Sequence, residues 1–201
     1  MSSAKERILL AAVGLFNEHG TGKVSTNHIA AGAGMSPGNL YYHYKNKEEI
    51  IRGILEQMYT SWTPVWSVSD HMQVTEEDLR ERLLLNFQIL WEYRFFYREA
   101  VVLLQSDERL QREHTRMMER RMEDQETFVS MFIRDGVLRK DLTPVNLRKL
   151  LTAAWIIANN WLGFLEMNGT DVSPERFQEG AELIWSVFAP YLAADVHREE
   201  G

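Results

Sequence analysis

The sequence predicts an all-α fold, and three observations carry that reading. Apolar residues recur every three or four positions from one end of the chain to the other, and no useful stretch alternates with period two. Helix-start chemistry stands ahead of the periodic runs, as Ser36-Pro37, Thr143-Pro144 and Ser173-Pro174. The first fifty residues hold three helical segments separated by glycine-containing turns, the lengths of a helix-turn-helix unit. About nine helices are expected: a small three-helix head and a larger helical body.

The elements follow in order. Residues 4–19 carry a stripe of Ile8, Ala12, Leu15, Phe16 and His19, closed by Gly20. Ser25 or Thr26 caps a short helix through Ala31, and Gly32 and Gly34 turn the chain out of it. Ser36 opens a third helix, and a longer one starts near Asn46. A break is expected near Pro64, within "TPVWSVSD". Thr75 caps a helix with Leu79, Leu83, Phe87, Leu90 and Arg94 in phase. A short apolar helix, "FFYREAVVLLQS", leads to a long one from Asp107 whose face holds Met118, Met122, Gln125, Val129 and Phe132, with Gly136 as its stop. Thr143-Pro144 opens a helix through Leu165 that ends at Asn168-Gly169. Ser173-Pro174 opens the last, with Phe177, Ala181, Ile184, Phe188 and Leu192 in phase.

Composition sets bounds on function. The 201-residue chain is 45% hydrophobic and 25% charged, enough to bury a core and remain soluble. It has no cysteine, which excludes disulfides and thiolate-ligated zinc. The start "MSSAKER" carries no apolar leader, so a cytoplasmic location is expected. The apolar tract from Leu150 to Leu165 falls short of the roughly 20 residues of a membrane span and is interrupted by Asn159 and Asn160. It reads as a buried helix, its two amides needing partners. The net charge of −7 is unevenly spread: residues 1–52 hold six Lys/Arg against four acids, or +2, so the remainder carries −9. A mildly basic head on an acidic body follows.

The stretch "SPGNLYYHYKNK", Ser36 to Lys47, explains the head. A helix-turn-helix unit lays its last helix in the major groove of DNA, N-terminal residues nearest the bases. Gly38, a poor helix former, leaves room for close backbone approach. Asn39 suits a base edge; Tyr41, Tyr42 and His43 suit sugar and phosphate; Lys47 adds a point charge. Leu40 and Tyr44 are expected to face inward, against Ile8, Leu15 and Ile29.

With those residues in view, the head resembles the DNA-binding domain of the tetracycline-repressor family. The matching segments are "A-x-x-L-F-x-E-x-G" (Ala12 to Gly20), "T-N-H-I-A-x-x-A-G-M-S-P-G-N-L-Y-Y-H-Y" (Thr26 to Tyr44) and "K-N-K-E-E-I". The resemblance implies a homodimeric bacterial transcription regulator, usually a repressor, released from double-stranded operator DNA by a small molecule. It implies a DNA-binding domain at 1–48 and an effector-binding and dimerisation domain at 49–201. DNA contacts would come from Thr26, Asn27, Ser36, Pro37, Gly38, Asn39, Tyr41, Tyr42, His43 and Lys47. Pro37 stands where many relatives carry Lys or another polar residue, which removes one charged contact.

For the body, the last two helices are expected to form a four-helix seam between subunits through Trp161, Leu165, Ile184, Trp185, Phe188 and Tyr191. Trp62, Trp66, Phe87, Trp91, Phe96, Tyr97, Met118, Met122, Phe128, Trp155 and Asn159 are candidates to line an effector cavity, since such sites are apolar with a few placed polar groups. The run "REHTRMMERRMEDQE" reads as a solvated face. No catalytic residue, metal or cofactor is expected: no nucleophile–base pair stands out, "GAGMSPG" lacks the strand of a dinucleotide fingerprint, and no HExxH occurs. The rival reading is an all-helical enzyme or small-molecule carrier using the same body cavity.

Overall fold

A computed structural model describes residues 3–66 and 73–193. Nine α-helices form among the described residues: α1 (Ala4–His19), α2 (Thr26–Gly32), α3 (Pro37–His43), α4 (Lys47–Trp66), α5 (Glu76–Glu92), α6 (Arg94–Ser106), α7 (Glu108–Arg134), α8 (Pro144–Met167) and α9 (Pro174–Phe188). The all-α expectation holds: no β-strand forms among the described residues, which contain one isolated bridge between Leu138 and Leu192. No helix among them is long and apolar enough to cross a membrane.

Local chemistry places the helix starts. Ser3, Ser25, Ser36, Thr143 and Ser173 each accept a backbone N–H from the residue three positions on, which satisfies one of the orphan donors at a helix start. Thr75 and Asp78 exchange the same kind of bonds ahead of α5. Gly136 and Gly169 leave α7 and α8 at φ of 80° and 66°, the left-handed geometry that glycine adopts without strain.

Two expected boundaries shift. Pro64 lies inside the last turns of α4 and does not break it. It removes one backbone donor, and its carbonyl accepts from Arg82 Nη1 at 3.1 Å. Residues 67–70 of the expected break lie outside the described residues. The last helix stops at Phe188 rather than running through Leu192. Pro190 has no N–H to continue the ladder, and Ala189–Tyr191 tightens into a 3₁₀ turn. Leu192 then pairs with Leu138, flanked by Arg139 N–H to Tyr191 O and Ala193 N–H to Val137 O.

The chain divides into two compact units. The first holds 3–61 and 92–112 of the described residues; it takes in the described part of residues 1–48 and extends beyond them into α4 and α6. Ile8, Ala12, Phe16, Ile29, Leu40, Ile50, Ile54 and Phe95 form its core. Helix α6 is latched to α1 by polar bonds as well as by the Phe16–Phe95 ring contact at 5.3 Å. Asn17 donates to Glu92 O and accepts from Phe95 N–H, Arg98 donates to Asn17 O, and Glu99 accepts from Thr21 N–H at 2.9 Å. Arg52 pairs with Asp107 where both side chains are mostly shielded from water.

The second unit holds 62–91 and 113–193 of the described residues. Its core is aromatic: Phe87, Trp91 and Phe177 cluster, as do Trp66, Phe128 and Phe132. Helices α8 and α9 pack together, and Trp161 Nε1 donates to Phe177 O at 3.0 Å. Gly180 is the closest fit there. A Cβ at this position would stand 2.4 Å from Phe87 Cε1 and 2.6 Å from Trp161 Cδ1.

Asn86, Arg121 and Gln125 are buried among these groups. This corrects the solvated reading of "REHTRMMERRMEDQE": Arg121 and Gln125 share the inward face of α7 with Met122 and Phe128. His114, one helical stretch earlier, has its pKa lowered to about 4 by burial and then by the positive charge of Arg121.

Two outcomes follow for stability. Gly→Ala inside a helix normally gains up to about 1 kcal/mol; Gly14→Ala, with open space around its Cβ, should do so. Gly180→Ala should instead lose about 1–3 kcal/mol to overpacking, read by urea denaturation. The depressed pKa of His114 means the unfolded chain takes up a proton first as pH falls. Stability is therefore fully present above about pH 6.5, lost on the way down to about pH 4, and level below that as far as this residue is concerned. His114→Gln should flatten that window by about 1–2 kcal/mol after solvent screening, seen as the difference between the two pH–stability curves.

Candidate nucleic-acid interface and cavity

Helix α3 is seven residues long, and Leu40 is its one buried residue. Ser36 caps it, its Oγ accepting from Asn39 N–H at 3.3 Å, and Pro37 occupies the first turn. With Leu40 fully buried, Ser36, Pro37, Gly38, Asn39, Tyr41 and Tyr42 are all exposed. Tyr42 is 84% exposed, an unusual position for a large aromatic that packs against nothing inward. His43 is half-buried, its ring edge-on to Tyr42 at 5.1 Å.

Gly38 has a negative φ, and a Cβ there would meet nothing within 4 Å. The fold itself therefore does not require glycine at this position. Helix α2 supplies the flank: Asn27 is exposed, and Thr26 Oγ1 shares a 2.8 Å hydrogen bond with the Tyr41 hydroxyl, joining the start of α2 to the middle of α3. Ser25, not Thr26, caps α2, and His28 Nδ1 accepts from Ser25 N–H in return.

Two expected neighbours behave differently. Tyr44 ends α3 half-buried, its hydroxyl packed where Gly53 leaves room; burial, then Glu56, raises its pKa. Lys47 is tied inward, its ammonium donating to Thr21 O at 2.7 Å and Val24 O at 3.2 Å. It thereby holds the turn before α2 against the start of α4. An ammonium has three donors, so one remains.

In the second unit, a small cavity of about 40 Å³ lies among α4, α5, α7, α8 and α9. Trp66, Met118, Trp155 and Asn159 line it as expected. Trp62, Phe87, Trp91, Met122 and Phe128 do not: they pack in the surrounding core. Phe96 and Tyr97 belong to the first unit, where Tyr97 OH reaches Met58 Sδ at 3.9 Å. Aromatic and methionine periodicity marks burial, and it does not separate a cavity wall from the core behind it.

Sequence reasoning missed the aliphatic part of the wall, Leu83 and Leu151 among it, and three polar lining residues. Asn86, Arg121 and Gln125 all border the cavity. Arg121 lies over the Trp62 ring at 3.5 Å from its centroid and donates to Asn86 Oδ1 at 3.3 Å. Gln125 Oε1 accepts from Trp155 Nε1 at 2.5 Å. The signal was present in the periodicity: Arg121 falls three residues after Met118 and four before Gln125, on one helical face.

The expectation of buried amides at Asn159 and Asn160 fails, because both are exposed. One side of α8 faces outward, carrying Ile156, Asn160, Phe164 and Met167 in a single stripe. Asn160 bonds back to Ile156 O. Of the six residues expected at a dimer seam, Leu165, Ile184, Trp185 and Phe188 are buried in their own chain, while Trp161 and Tyr191 are half-exposed.

Comparison with known proteins bears on both regions. A family profile described as "Bacterial regulatory proteins, tetR family" matches residues 8–54, and one described as "Bacterial transcriptional repressor" matches residues 57–199. The crystal structure of a TetR-family transcriptional regulator from Marinobacter aquaeolei VT8 is similar over 99% of this chain and 95% of that one, with a TM-score of 0.88 and 29% identity. The HTH-type transcriptional repressor KstR2 of Rhodococcus jostii is 26% identical over 163 residues, 77% of this chain and 78% of that protein. The HTH-type transcriptional regulator QacR of Staphylococcus aureus is 30% identical over 93 residues, 46% of this chain and 48% of that protein's length. SmeT in complex with triclosan shares the fold over 100% of this chain and 97% of that one, at a TM-score of 0.67 and 20% identity. The chain therefore belongs to the tetracycline-repressor (TetR) family of bacterial regulatory proteins, and is a DNA-binding transcriptional regulator rather than an enzyme.

Proposed function

We propose that the protein is a repressor that binds a palindromic operator as a homodimer and leaves it when a small lipophilic or aromatic effector enters the cavity. The observation that carries the reading is the outward face of α3: polar and aromatic side chains with no inward role, beside a glycine the fold does not need. In this reading residues 1–48 are the reading head and 49–201 the effector and dimer domain. Gly38 lets the α3 backbone approach the groove, Asn39 meets a base edge, and Ser36, Pro37, Tyr41, Tyr42 and His43 line the groove and its sugar–phosphate walls. Thr26 and Asn27 touch the neighbouring backbone, and Lys47 offers its remaining donor to a phosphate.

Dimerisation follows from the operator symmetry that such a reader needs. Two α3 helices one helical turn apart, roughly 34 Å, fit successive major grooves. The seam is best supported at the exposed apolar side chains of α8 and α9: Ile156, Phe164, Met167 and Leu183 are 61%, 53%, 83% and 42% exposed. Trp161 and Tyr191 lie at its margins in this reading, and the buried Leu165, Ile184, Trp185 and Phe188 support it from beneath. An effector that swings the dimer from about 1:99 to 99:1 between operator-bound and released spacings must favour one by roughly 5.5 kcal/mol.

The test is selection of bound sites from a random duplex pool at about 150 mM salt, where phosphate contacts alone no longer imitate recognition. An inverted repeat should emerge. Asn39→Ala should cost about 1–3 kcal/mol of discrimination at one base pair per half-site, and Tyr42→Ala should weaken binding across sequences. Gly38→Ala should weaken operator binding while leaving thermal stability equal or higher. Unchanged binding by all three would remove α3 from the groove. Ile156→Glu with Phe164→Glu should give a folded monomer by sedimentation; a persisting dimer would move the seam elsewhere.

A further inference from the structure

From His19 to Lys47 the chain contains no Asp or Glu, while it carries Lys23, Lys45 and Lys47. Lys47 is half-buried and spends two of its three donors on Thr21 O at 2.7 Å and Val24 O at 3.2 Å. Lys23 lies between those two carbonyls in sequence, and Lys45 comes two residues ahead of Lys47. One ammonium thus pins the turn before α2 to the turn before α4, and each turn carries a second lysine. Lys23 and Lys45 are exposed, and no hydrogen bond or ion pair engages either side chain among the described residues. Two carboxylates at these turns are engaged elsewhere. Glu49 Oε2 accepts from Lys45 N–H at 2.8 Å, and Glu99 accepts from the Thr21 N–H and hydroxyl. Glu48, in the first turn of α4, stays open to solvent. Lys23 precedes the Ser25 cap of α2 by two residues, and Lys45 follows His43, the last residue of α3, by two. Two residues span at most about 7 Å, so each ammonium is anchored beside the surface that α2 and α3 present.

We propose that Lys23 and Lys45 are phosphate anchors, gripping the duplex backbone that flanks the groove occupied by α3, and that Lys47 sets their spacing. The assignment rests on the groove role proposed for α3 and extends it to the DNA backbone. An ammonium is a compact point charge with donors and no acceptor, so it holds a phosphate oxygen without reading a base. Both anchors therefore add affinity and register, and leave sequence preference to Asn39. On a chain of net charge −7 they give the DNA-facing side its local positive field.

The test is the salt dependence of binding by the full-length protein, measured by fluorescence anisotropy from about 50 to 200 mM salt. Two labelled duplexes serve: one of mixed sequence, which reports phosphate contacts whether or not an operator is known, and the operator selected from the random pool. Each phosphate contact contributes about 0.9 to the slope of log affinity against log salt. Lys23→Gln and Lys45→Gln should each make the slope shallower by about that amount on both duplexes, and together by about twice it. Their preference for operator over mixed sequence should stay within about 2-fold of the native ratio, whereas Asn39→Ala lowers it. Lys140→Gln and Lys149→Gln, at exposed positions of the second unit, should leave the slope unchanged. In a Lys47→Met background, Lys23→Gln should lose more than half its effect, because the turn is no longer pinned. Native slopes in both single variants overturn the anchors, and operator preference retained alongside them leaves the α3 reading standing. An equal loss from the second-unit variants overturns the anchors too, since the field is then diffuse. Additive losses with Lys47→Met overturn its spacing role. If Lys47→Met does not fold, the Lys23 and Lys45 arms decide the anchors alone. A native protein that binds neither duplex overturns this assignment and the groove reading together.

Discussion

The reading head depends on one buried side chain. A seven-residue helix is too short to hold itself in water, where isolated helices below about 12 residues are marginal. Helix α3 survives because Leu40 is fully buried in the core that α1, α2 and α4 build. That economy is what makes the helix useful: with a single inward anchor, nearly every other side chain on it is left outside. The Ser36 cap, the Pro37 first turn and the Thr26–Tyr41 hydroxyl pair then fix its direction without using the side-chain polar atoms of Asn39 or Tyr42.

The same logic accounts for Lys47. Its ammonium secures two carbonyls of the turn that precedes α2, so this charged residue also ties that turn to the start of α4. The latch of α6 on α1 extends this scaffolding. Asn17 and Glu99 join segments nearly eighty residues apart in sequence through four hydrogen-bonding groups, and the Arg52–Asp107 pair adds a shielded charge contact between α4 and the turn before α7.

The second unit resolves a different problem, how to keep a charged side chain inside an aromatic core. Burial of a charge is costly, and an indole face under the guanidinium and an amide oxygen bonded to it both help to accommodate Arg121. Protonation of His114 is suppressed first by its burial and then by the same positive charge.

The sequence by itself determined the helical periods, their starts and most of their stops, because caps, prolines and glycines act on bonds a few residues away. It also determined the outward face of α3, since a helix with one aliphatic residue has only one side to bury. Tertiary structure alone decided the rest. Met118 lines a cavity while Met122, equally apolar and in the same phase, does not, because the difference lies in which neighbouring helix approaches each side chain. Arg121 reads as solvated within a charged run until the indole rings of Trp62 and Trp155, from two distant helices, are placed around it. Asn159 and Asn160 read as buried until the free side of α8 is known. Periodicity reports that a helix has an inner face; only the packing of its neighbours says what that face meets.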